Sequence, residues 1–227
     1  MVAGPFPGVI KRKNQLFTQN HHQCLGKRVY GEMLKREKGV EWRSWNPYRS
    51  KLAAAILKGL NSISIESNAR ILYLGAATGT TVSHLSDIVT NGQIFAIEHS
   101  PIAAHKLINS LKDRENVIPI LADANHPETY MHIVPKVDIL YQDISQRNQS
   151  DIFIRNYQLF SKQSTQGLLM VKARSIDVSL PPKKAYTIVE QELQQAEFSL
   201  QESINLSPFE KDHAAISVNQ KDQQMGL

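Results

Sequence analysis

The feature that most constrains this fold is a regular alternation, from Ile71 onward, of short apolar runs with longer helical stretches. Five runs have the length and apolar continuity of buried parallel strands, at 71–74, 94–97, 117–121, 137–141 and 168–171. Helical stretches of crossover length separate them, at 81–90, 101–113, 127–133 and 150–160. The pattern predicts a doubly wound α/β domain with at least five parallel strands, although Pro119 weakens the third run.

The segment after the fifth run extends the predicted sheet. A polar loop with two prolines is followed by a predicted helix at 184–196 and by β-like runs at 198–206 and 214–218. An antiparallel pair formed by the last two runs would complete the sheet. We therefore expect an α/β fold with a seven-stranded mixed sheet.

The residues before the first strand predict one helix and a small β-rich module. Asn46 is followed by proline, a good cap and first-turn pair, and apolar residues recur at helical spacing over 47–60. Within 28–45, apolar residues flank a charged stretch that ends in glycine, which is typical of a hairpin. We expect a β-rich N-terminal module, 1–49, and a main domain, 50–227.

The charge of the chain is unevenly distributed. Residues 1–60 hold 12 Lys and Arg against 3 Asp and Glu, whereas residues 61–227 hold 14 against 18. Such a basic surface attracts phosphate groups over about 8 Å at physiological salt, so nucleic acid is a reasonable partner. A solvated face that aids solubility explains the same charges equally well.

The cysteine and hydropathy patterns exclude several classes of protein. The single cysteine, Cys24, has no partner for an internal disulfide, and no Cys and His residues have metal-ligand spacing, so we expect no metal site. No apolar run has the length to cross a bilayer, and the proline-containing N-terminus does not resemble a signal peptide. We expect a protein of a reducing compartment with no membrane partner.

A glycine-rich segment lies between the first predicted strand and the first crossover helix, where a cofactor loop belongs. Gly75 and Gly79 permit a sharp turn and a close approach of backbone to ligand, and Ala77, Thr80 and Thr81 complete the segment. The spacing is neither that of the dinucleotide fingerprint nor that of a phosphate-binding P-loop. A different adenosine-containing cofactor is therefore favoured.

Acidic residues follow the next two predicted strands. Glu98 ends the second strand and is placed to accept hydrogen bonds from both hydroxyls of an adenosine ribose. Asp123, with Ala124 after it, follows the third strand and is the candidate for the adenine edge. The first predicted strand is thus followed by a glycine-rich turn, and each of the next two is followed by an acidic residue. This combination favours a pocket for S-adenosylmethionine in a Rossmann-like methyltransferase fold.

Polar residues at the remaining strand ends are candidates for chemistry, because ligands of open α/β sheets bind there. Asp143 follows the fourth run beside the expected methyl donor, so it is a candidate both for binding the cofactor and for catalysis. Lys172 ends the fifth run. His213 starts the final strand, and Lys51 lies on the helix before the first strand. Each of the four, taken alone, also fits an ordinary structural or surface role.

Four segments resemble the fibrillarin family, the methyltransferases of box C/D ribonucleoproteins, and the match runs through almost the whole chain. They are 28–32, 45–56, 79–89 and 210–214, in the order of that family. Departures are small: Gln142 stands where many members carry a smaller or acidic residue, and Thr78 where serine is common. The resemblance places the family's catalytic set on Lys51, Asp143, Lys172 and His213.

The resemblance also implies an activity and partners. It implies 2′-O-methylation of ribose in rRNA, with tRNA as a further acceptor, by S-adenosylmethionine at nucleotides that a box C/D guide RNA selects. A Nop-domain scaffold protein and a kink-turn-binding ribosomal-type protein are the implied partners. The Gly/Arg-rich extension of eukaryotic members is missing, so we expect a cytoplasmic protein of an archaeal cell.

These four residues suit that chemistry. A ribose 2′-hydroxyl is a poor nucleophile at neutral pH, so its proton must be removed or its developing charge stabilised. Asp143 is suited to accept the proton and Lys172 to stabilise the alkoxide, while Lys51 and His213 are suited to hold the ribose-phosphate or share the proton. The residues alone leave open which group is the formal base.

Two alternatives are compatible with the residues. One is a stand-alone methyltransferase for a small molecule or a protein, which shares the cofactor pocket but not the acceptor. The other is a non-catalytic assembly subunit that keeps the fold. Its expected mark is an altered Asp143 or Lys172, and both residues are present here.

Overall fold

The computed structural model describes residues 2–221, so Met1 and the last six residues of the predicted main domain lie outside the described residues. The N-terminal part is an antiparallel sheet with strand order β1-β2-β3-β5-β4. Its strands are β1 (Val2–Ala3), β2 (Val9–Arg12), β3 (Gln15–Gln19), β4 (Leu34–Glu37) and β5 (Val40–Trp45).

The main sheet has seven strands in the order β11-β12-β10-β9-β6-β7-β8. They are β6 (Arg70–Leu74), β7 (Gln93–Glu98), β8 (Val117–Leu121), β9 (Val137–Gln142), β10 (Ser161–Lys172), β11 (Phe198–Asn205) and β12 (His213–Gln220). The first five are parallel, and β12 lies antiparallel between β10 and β11. The predicted seven-stranded mixed α/β sheet is therefore confirmed, and Pro119 lies on an edge strand, where its missing N–H costs little.

Helices cover both faces of this sheet, which is why its parallel strands carry continuous apolar runs, at 71–74, 94–97, 139–141 and 168–171. The helices are α1 (Lys51–Leu57), α2 (Thr80–Ile88), α3 (Pro101–Leu111), α4 (Gln149–Phe160), α5 (Ala173–Ile176) and α6 (Pro182–Gln195). The first three pack on one face, and α4 and α6 pack on the other. Within residues 2–221, no helix combines the length and hydropathy needed to span a membrane.

The helix predicted at 47–60 is shorter at both ends. The Asn46 side chain accepts the Tyr48 N–H at 2.9 Å and its carbonyl accepts the Arg49 N–H at 3.1 Å, so Asn46 closes a single turn that does not continue into the helix. Ser50 is the cap instead, with its hydroxyl accepting the Ala53 N–H at 3.4 Å. The helix stops at Leu57 because the chain turns back through Gly59, whose φ is +103°.

The crossover helix predicted at 127–133 is wrong, because the structure has only a 3-10 turn there, Pro127–Thr129. This segment must carry the chain from β8 at the sheet edge past two strands to β9, three strand spacings or about 14 Å. The buried Tyr130 side chain holds this segment in place, and its hydroxyl donates a hydrogen bond to Asn156 Oδ1 at 2.5 Å. An apolar run alone does not reveal such a long crossing.

The hairpin predicted within 28–45 is present but occupies less of that range. Strands β4 and β5 are joined by Lys38 and Gly39, both with positive φ, as a two-residue hairpin turn requires. Residues 28–33 form a separate turn, because the Glu32 carboxylate accepts the N–H groups of Val29 and Tyr30 at 2.9–3.1 Å.

Buried charges join the N-terminal sheet to α2. Arg43 of β5 donates to Glu32 Oε1 at 2.6 Å and to Asp87 Oδ2 at 2.7 Å, and all three side chains are fully buried. Arg114 and Thr18 also donate to Asp87, each at 2.6 Å. Burial opposes ionisation of Glu32, but Arg43 and the nearby N–H groups hold its pKa below its usual value. The two sheets are therefore fixed together through α2, the helix that follows the glycine-rich turn.

Candidate active site

The candidate residues meet at one edge of the main sheet, where β6, β7, β9 and β10 end and β12 begins. Lys172 pairs directly with His213 across β10 and β12, which confirms that the final strand is antiparallel and starts at this edge. Lys51 begins α1, and its ammonium reaches the same edge, where it contacts Asp143. With the segment after β8 that carries Asp123 and Ala124, seven separate segments therefore contribute residues at this edge.

The glycine-rich turn follows β6 and has an unusual backbone. Gly75, Ala77 and Gly79 have φ values of 83°, 48° and 90°, so the turn is left-handed at three positions. A Cβ at Gly75 would collide with the carbonyl oxygen of Asp143, because the backbones that follow β6 and β9 nearly touch. Gly75 and Ala76 both donate their N–H groups to the Ile97 carbonyl at 3.0 Å, so the N–H groups left for a ligand are those of the first turn of the helix that follows.

Thr80 and Thr81 form the first turn of α2 directly after Gly79. The Thr81 hydroxyl donates to the Ser50 hydroxyl at 3.0 Å, and Ser50 caps α1. This hydrogen bond connects the glycine-rich turn to the helix that carries Lys51. We did not expect Ser50 from the sequence, although serine is one of the residues preferred at a helix N-cap.

Glu98 lies beneath the glycine-rich turn and is 6% exposed. Its two carboxylate oxygens accept the N–H groups of Ala77 and Ser100, each at 2.8 Å. A carboxylate has about four acceptor positions, so each oxygen keeps one for a ligand hydroxyl. Glu98 thus holds the turn in shape and still has the capacity that a ribose diol requires.

Asp123 and Ala124 follow β8. One Asp123 oxygen accepts both the backbone and side-chain N–H of Asn125 at 2.9 Å, and these hydrogen bonds lower the pKa of the carboxyl. Ala124 is buried, and its carbonyl accepts a hydrogen bond from Asn156 at 2.8 Å. Asn156 was not expected from the sequence, because nothing in a helical asparagine indicates a contact 32 residues away.

Lys51 and Asp143 form an ion pair at the centre of the site. The Lys51 ammonium donates to both carboxylate oxygens of Asp143, at 2.8 and 3.0 Å, and each side chain is 18% exposed. The Asp143 backbone N–H donates to the Leu74 carbonyl at 2.9 Å, which fixes the residue beside the glycine-rich turn. Two residues 92 positions apart in the chain, which the family resemblance had placed in one set, are thus in direct contact.

His213 is a neutral base in this arrangement. Its Nδ1 lies 2.7 Å from the carbonyl oxygen of Lys211, and because a carbonyl only accepts, Nδ1 carries the proton and Nε2 does not. Burial lowers the pKa of His213 below 6.5, and the nearby Lys51 ammonium lowers it further. The imidazole is therefore uncharged at neutral pH.

Lys172 is held through its backbone. The buried side chain of Gln149 donates to the Lys172 carbonyl at 3.3 Å and accepts the Lys172 N–H at 3.2 Å. Gln142, the residue before Asp143, donates to the Gln149 carbonyl at 2.6 Å. Within residues 2–221 the Lys172 ammonium forms no salt bridge, which leaves its charge for a ligand. The bridging role of Gln149 has no signal in the sequence.

The site combines the N–H groups at the start of α2 with the buried Glu98 carboxylate, which suits an adenosine ribose and a zwitterionic amino acid. In the part of the chain that the structure describes, no three His, Cys, Asp or Glu side chains are grouped to hold a metal ion. With a seventh strand inserted antiparallel into the sheet, these features define the class of S-adenosylmethionine-dependent methyltransferases.

Comparison with known proteins gives the family. The family model described as Fibrillarin matches residues 4–222, and the chain belongs to the fibrillarin family. The fibrillarin-like rRNA/tRNA 2′-O-methyltransferase of Methanocaldococcus jannaschii is 45% identical over 188 residues, which cover 83% of this chain and 82% of that protein.

Solved structures of family members agree with this fold. Aeropyrum pernix fibrillarin with natively bound S-adenosyl-L-methionine has a TM-score of 0.82 at 42% identity and covers 92% of both chains. A fibrillarin/Nop5p complex has a TM-score of 0.85 at 41% identity, covering 94% of this chain and 97% of that one. The Rossmann-like methyltransferase fold and the cofactor are therefore as the sequence predicted.

Proposed function

We propose that this chain transfers a methyl group from S-adenosylmethionine to a ribose 2′-hydroxyl in rRNA, with tRNA as a further acceptor. We further propose that it acts in an archaeal cytoplasm, within a particle containing box C/D guide RNA, a Nop-domain scaffold and a kink-turn-binding protein. The acceptors are those in the names of the curated relatives, and a family member is in complex with Nop5p. The basic N-terminal residues are compatible with a nucleic-acid partner.

We assign the cofactor to the residues around the glycine-rich turn. They are Gly75, Ala77, Gly79, Thr80, Thr81, Glu98, Asp123, Ala124 and Asp143. The Glu98 carboxylate keeps free acceptor positions for the ribose diol, and Asp123 for the adenine amino group. When bound, S-adenosylmethionine supplies an electrophilic methyl group on a positively charged sulfur.

The four catalytic residues act on the acceptor hydroxyl. Asp143, held by Lys51 at 2.8 Å, orients the hydroxyl and accepts its proton, while the neutral His213 Nε2 gives that proton a second acceptor. The Lys172 ammonium stabilises negative charge as it develops on oxygen. The observation that carries this proposal is the Lys51–Asp143 ion pair beside the glycine-rich turn.

The proposed acceptor is tested in a particle reconstituted with a box C/D guide and a matching RNA. We expect methyl transfer to the normal RNA, and no transfer to an RNA that lacks only the 2′-hydroxyl at the target nucleotide. Transfer to the deoxy-substituted RNA would place the methyl group on another atom. Equal transfer by the isolated chain to small-molecule acceptors would favour the stand-alone alternative.

Replacing Glu98 by glutamine should weaken cofactor binding about 10- to 100-fold, the range expected for losing hydrogen bonds to a charged group. The amide NH₂ cannot accept an N–H, so either the Ala77 or the Ser100 hydrogen bond is lost along with one ligand contact. Titration calorimetry with S-adenosylmethionine measures the change. The exposed Glu115→Gln variant is the control and should bind normally, and unaltered affinity of Glu98→Gln would remove Glu98 from the pocket.

A further inference from the structure

A groove with a volume of about 570 Å³ opens where β5 leads towards α1. It is lined by the β2–β3 turn and by the segments around Trp45, Tyr48 and Phe209. The volume is in the range of pockets that hold small organic ligands, about 300–1,000 Å³. None of the proposed cofactor or catalytic residues lines this groove, so it is separate from the site described above.

An aromatic pair forms one wall of the groove. Tyr48 is 63% exposed, although it is one of the large side chains that folding normally buries. The Phe209 ring meets the Tyr48 ring at 71° with centroids 5.4 Å apart, and Phe209 packs against the core. The Tyr48 N–H is fixed by Asn46. Tyr48 is thus held in place on both sides while much of its ring faces solvent.

The position of this pair connects it to the reaction. Tyr48 comes three residues before Lys51, and Phe209 comes four residues before His213. The ring contact therefore bridges the two segments that deliver two of the proposed catalytic residues. Three residues of chain span at most about 11 Å and four at most about 14 Å, so the pair lies within that distance of the backbones of Lys51 and His213.

The charges around the groove indicate what it binds. Lys13 precedes the lining residue Asn14, Lys211 follows the lining residue Phe209 by two positions, and both lysines are exposed and form no salt bridge within residues 2–221. The Arg49 guanidinium lies over the Tyr30 ring instead. No acidic side chain is among the groove's described lining residues. An exposed aromatic ring with two lysines on the adjoining segments suits a polyanion with flat rings, because bases stack on aromatic side chains while phosphates pair with lysine.

We propose that this groove binds a nucleobase of the RNA close to the methylated ribose, stacked on Tyr48. The proposal rests on the proposed function, since it requires RNA as the acceptor. Stacking on Tyr48 would hold the neighbouring ribose in register with Asp143. Tyr48 is then a positioning residue that sets the affinity for RNA, and it takes no part in proton transfer.

A double-mutant cycle tests the contact in the reconstituted particle. Tyr48→Ala is combined with substrate RNAs that lack a single base at the target nucleotide or at one of its neighbours. With intact RNA, Tyr48→Ala should raise KM for RNA about 5- to 100-fold with kcat nearly unchanged, whereas Tyr48→Phe should behave as wild type. With the contacted base removed, wild type and Tyr48→Ala should have the same KM. Leu25→Ala, another exposed apolar side chain of the N-terminal part, should have no effect.

The outcomes separate this proposal from the proposed function. If the wild-type particle methylates RNA but Tyr48→Ala matches it with every RNA, the groove is not a base site and the methyltransferase function stands. A different result is that Tyr48→Ala prevents assembly of the particle, as measured by sedimentation, and that removing no single base abolishes the effect of the substitution on KM. In that case the groove binds a protein partner and the proposal is wrong. If wild type methylates no RNA ribose, the proposed function fails and the base site with it.

Discussion

Replacing Asp143 by asparagine should lower methyl transfer to RNA about 10²- to 10⁴-fold, the usual contribution of a positioned acid or base. The change keeps the size of the side chain but removes its charge and its ability to accept a proton. The ion pair with Lys51, at 2.8 Å, is lost at the same time. Single-turnover transfer from labelled S-adenosylmethionine measures the rate, and calorimetry measures cofactor binding, which should fall far less than the rate.

A matched control lies at the opposite end of the same strand. Asp138, near the start of β9, pairs with Lys162 and accepts the Arg70 N–H at 2.7 Å, far from the glycine-rich turn. Asp138→Asn should therefore leave the transfer rate unchanged. If both variants retain wild-type turnover, Asp143 has no catalytic role.

The Lys51–Asp143 pair should also behave as a unit. Because Lys51 contacts Asp143 directly, Lys51→Met combined with Asp143→Asn should cost much less than the product of the two single effects. Independent effects would mean that Lys51 acts on the RNA and not through Asp143.

Replacing Arg43 by methionine should lower the free energy of unfolding by about 3–5 kcal/mol, the cost of removing one partner from a buried ion pair. The variant leaves the carboxylates of Glu32 and Asp87 buried with fewer donors. Urea unfolding measures the loss. Cofactor affinity should fall as well, because Asp87 belongs to α2, whose first turn follows Gly79.

Arg12 provides the comparison within the same N-terminal sheet. It forms a partly exposed ion pair with Glu37, so Arg12→Met should cost less than about 1 kcal/mol. A loss for Arg43→Met that is no larger than for Arg12→Met would show that the buried network does not hold the two sheets together.

Much of this protein follows from local sequence. The five parallel strands were predicted because a strand covered on both faces carries a continuous apolar run, as at 71–74 in β6 and 139–141 in β9. The glycine-rich turn was visible because positive φ at Gly75 and Gly79 is a local demand on the backbone. The proposed catalytic residues were found mainly through family resemblance, since a lone lysine or histidine indicates little.

The tertiary structure decided what depends on distant partners. Local spacing put a cap at Asn46, but Ser50 was selected, and Thr81 of another helix contacts it. Periodicity put a helix at 127–133, where the chain instead crosses the sheet. The contacts of Gln149 and of the Tyr48–Phe209 pair join segments that are far apart in the chain, and no periodic pattern in the sequence indicates such contacts. The sequence by itself determined the sheet and its cofactor turn, because backbone geometry and burial are local requirements. Only folding decided which side chains meet around the acceptor, because those contacts join segments far apart in the chain.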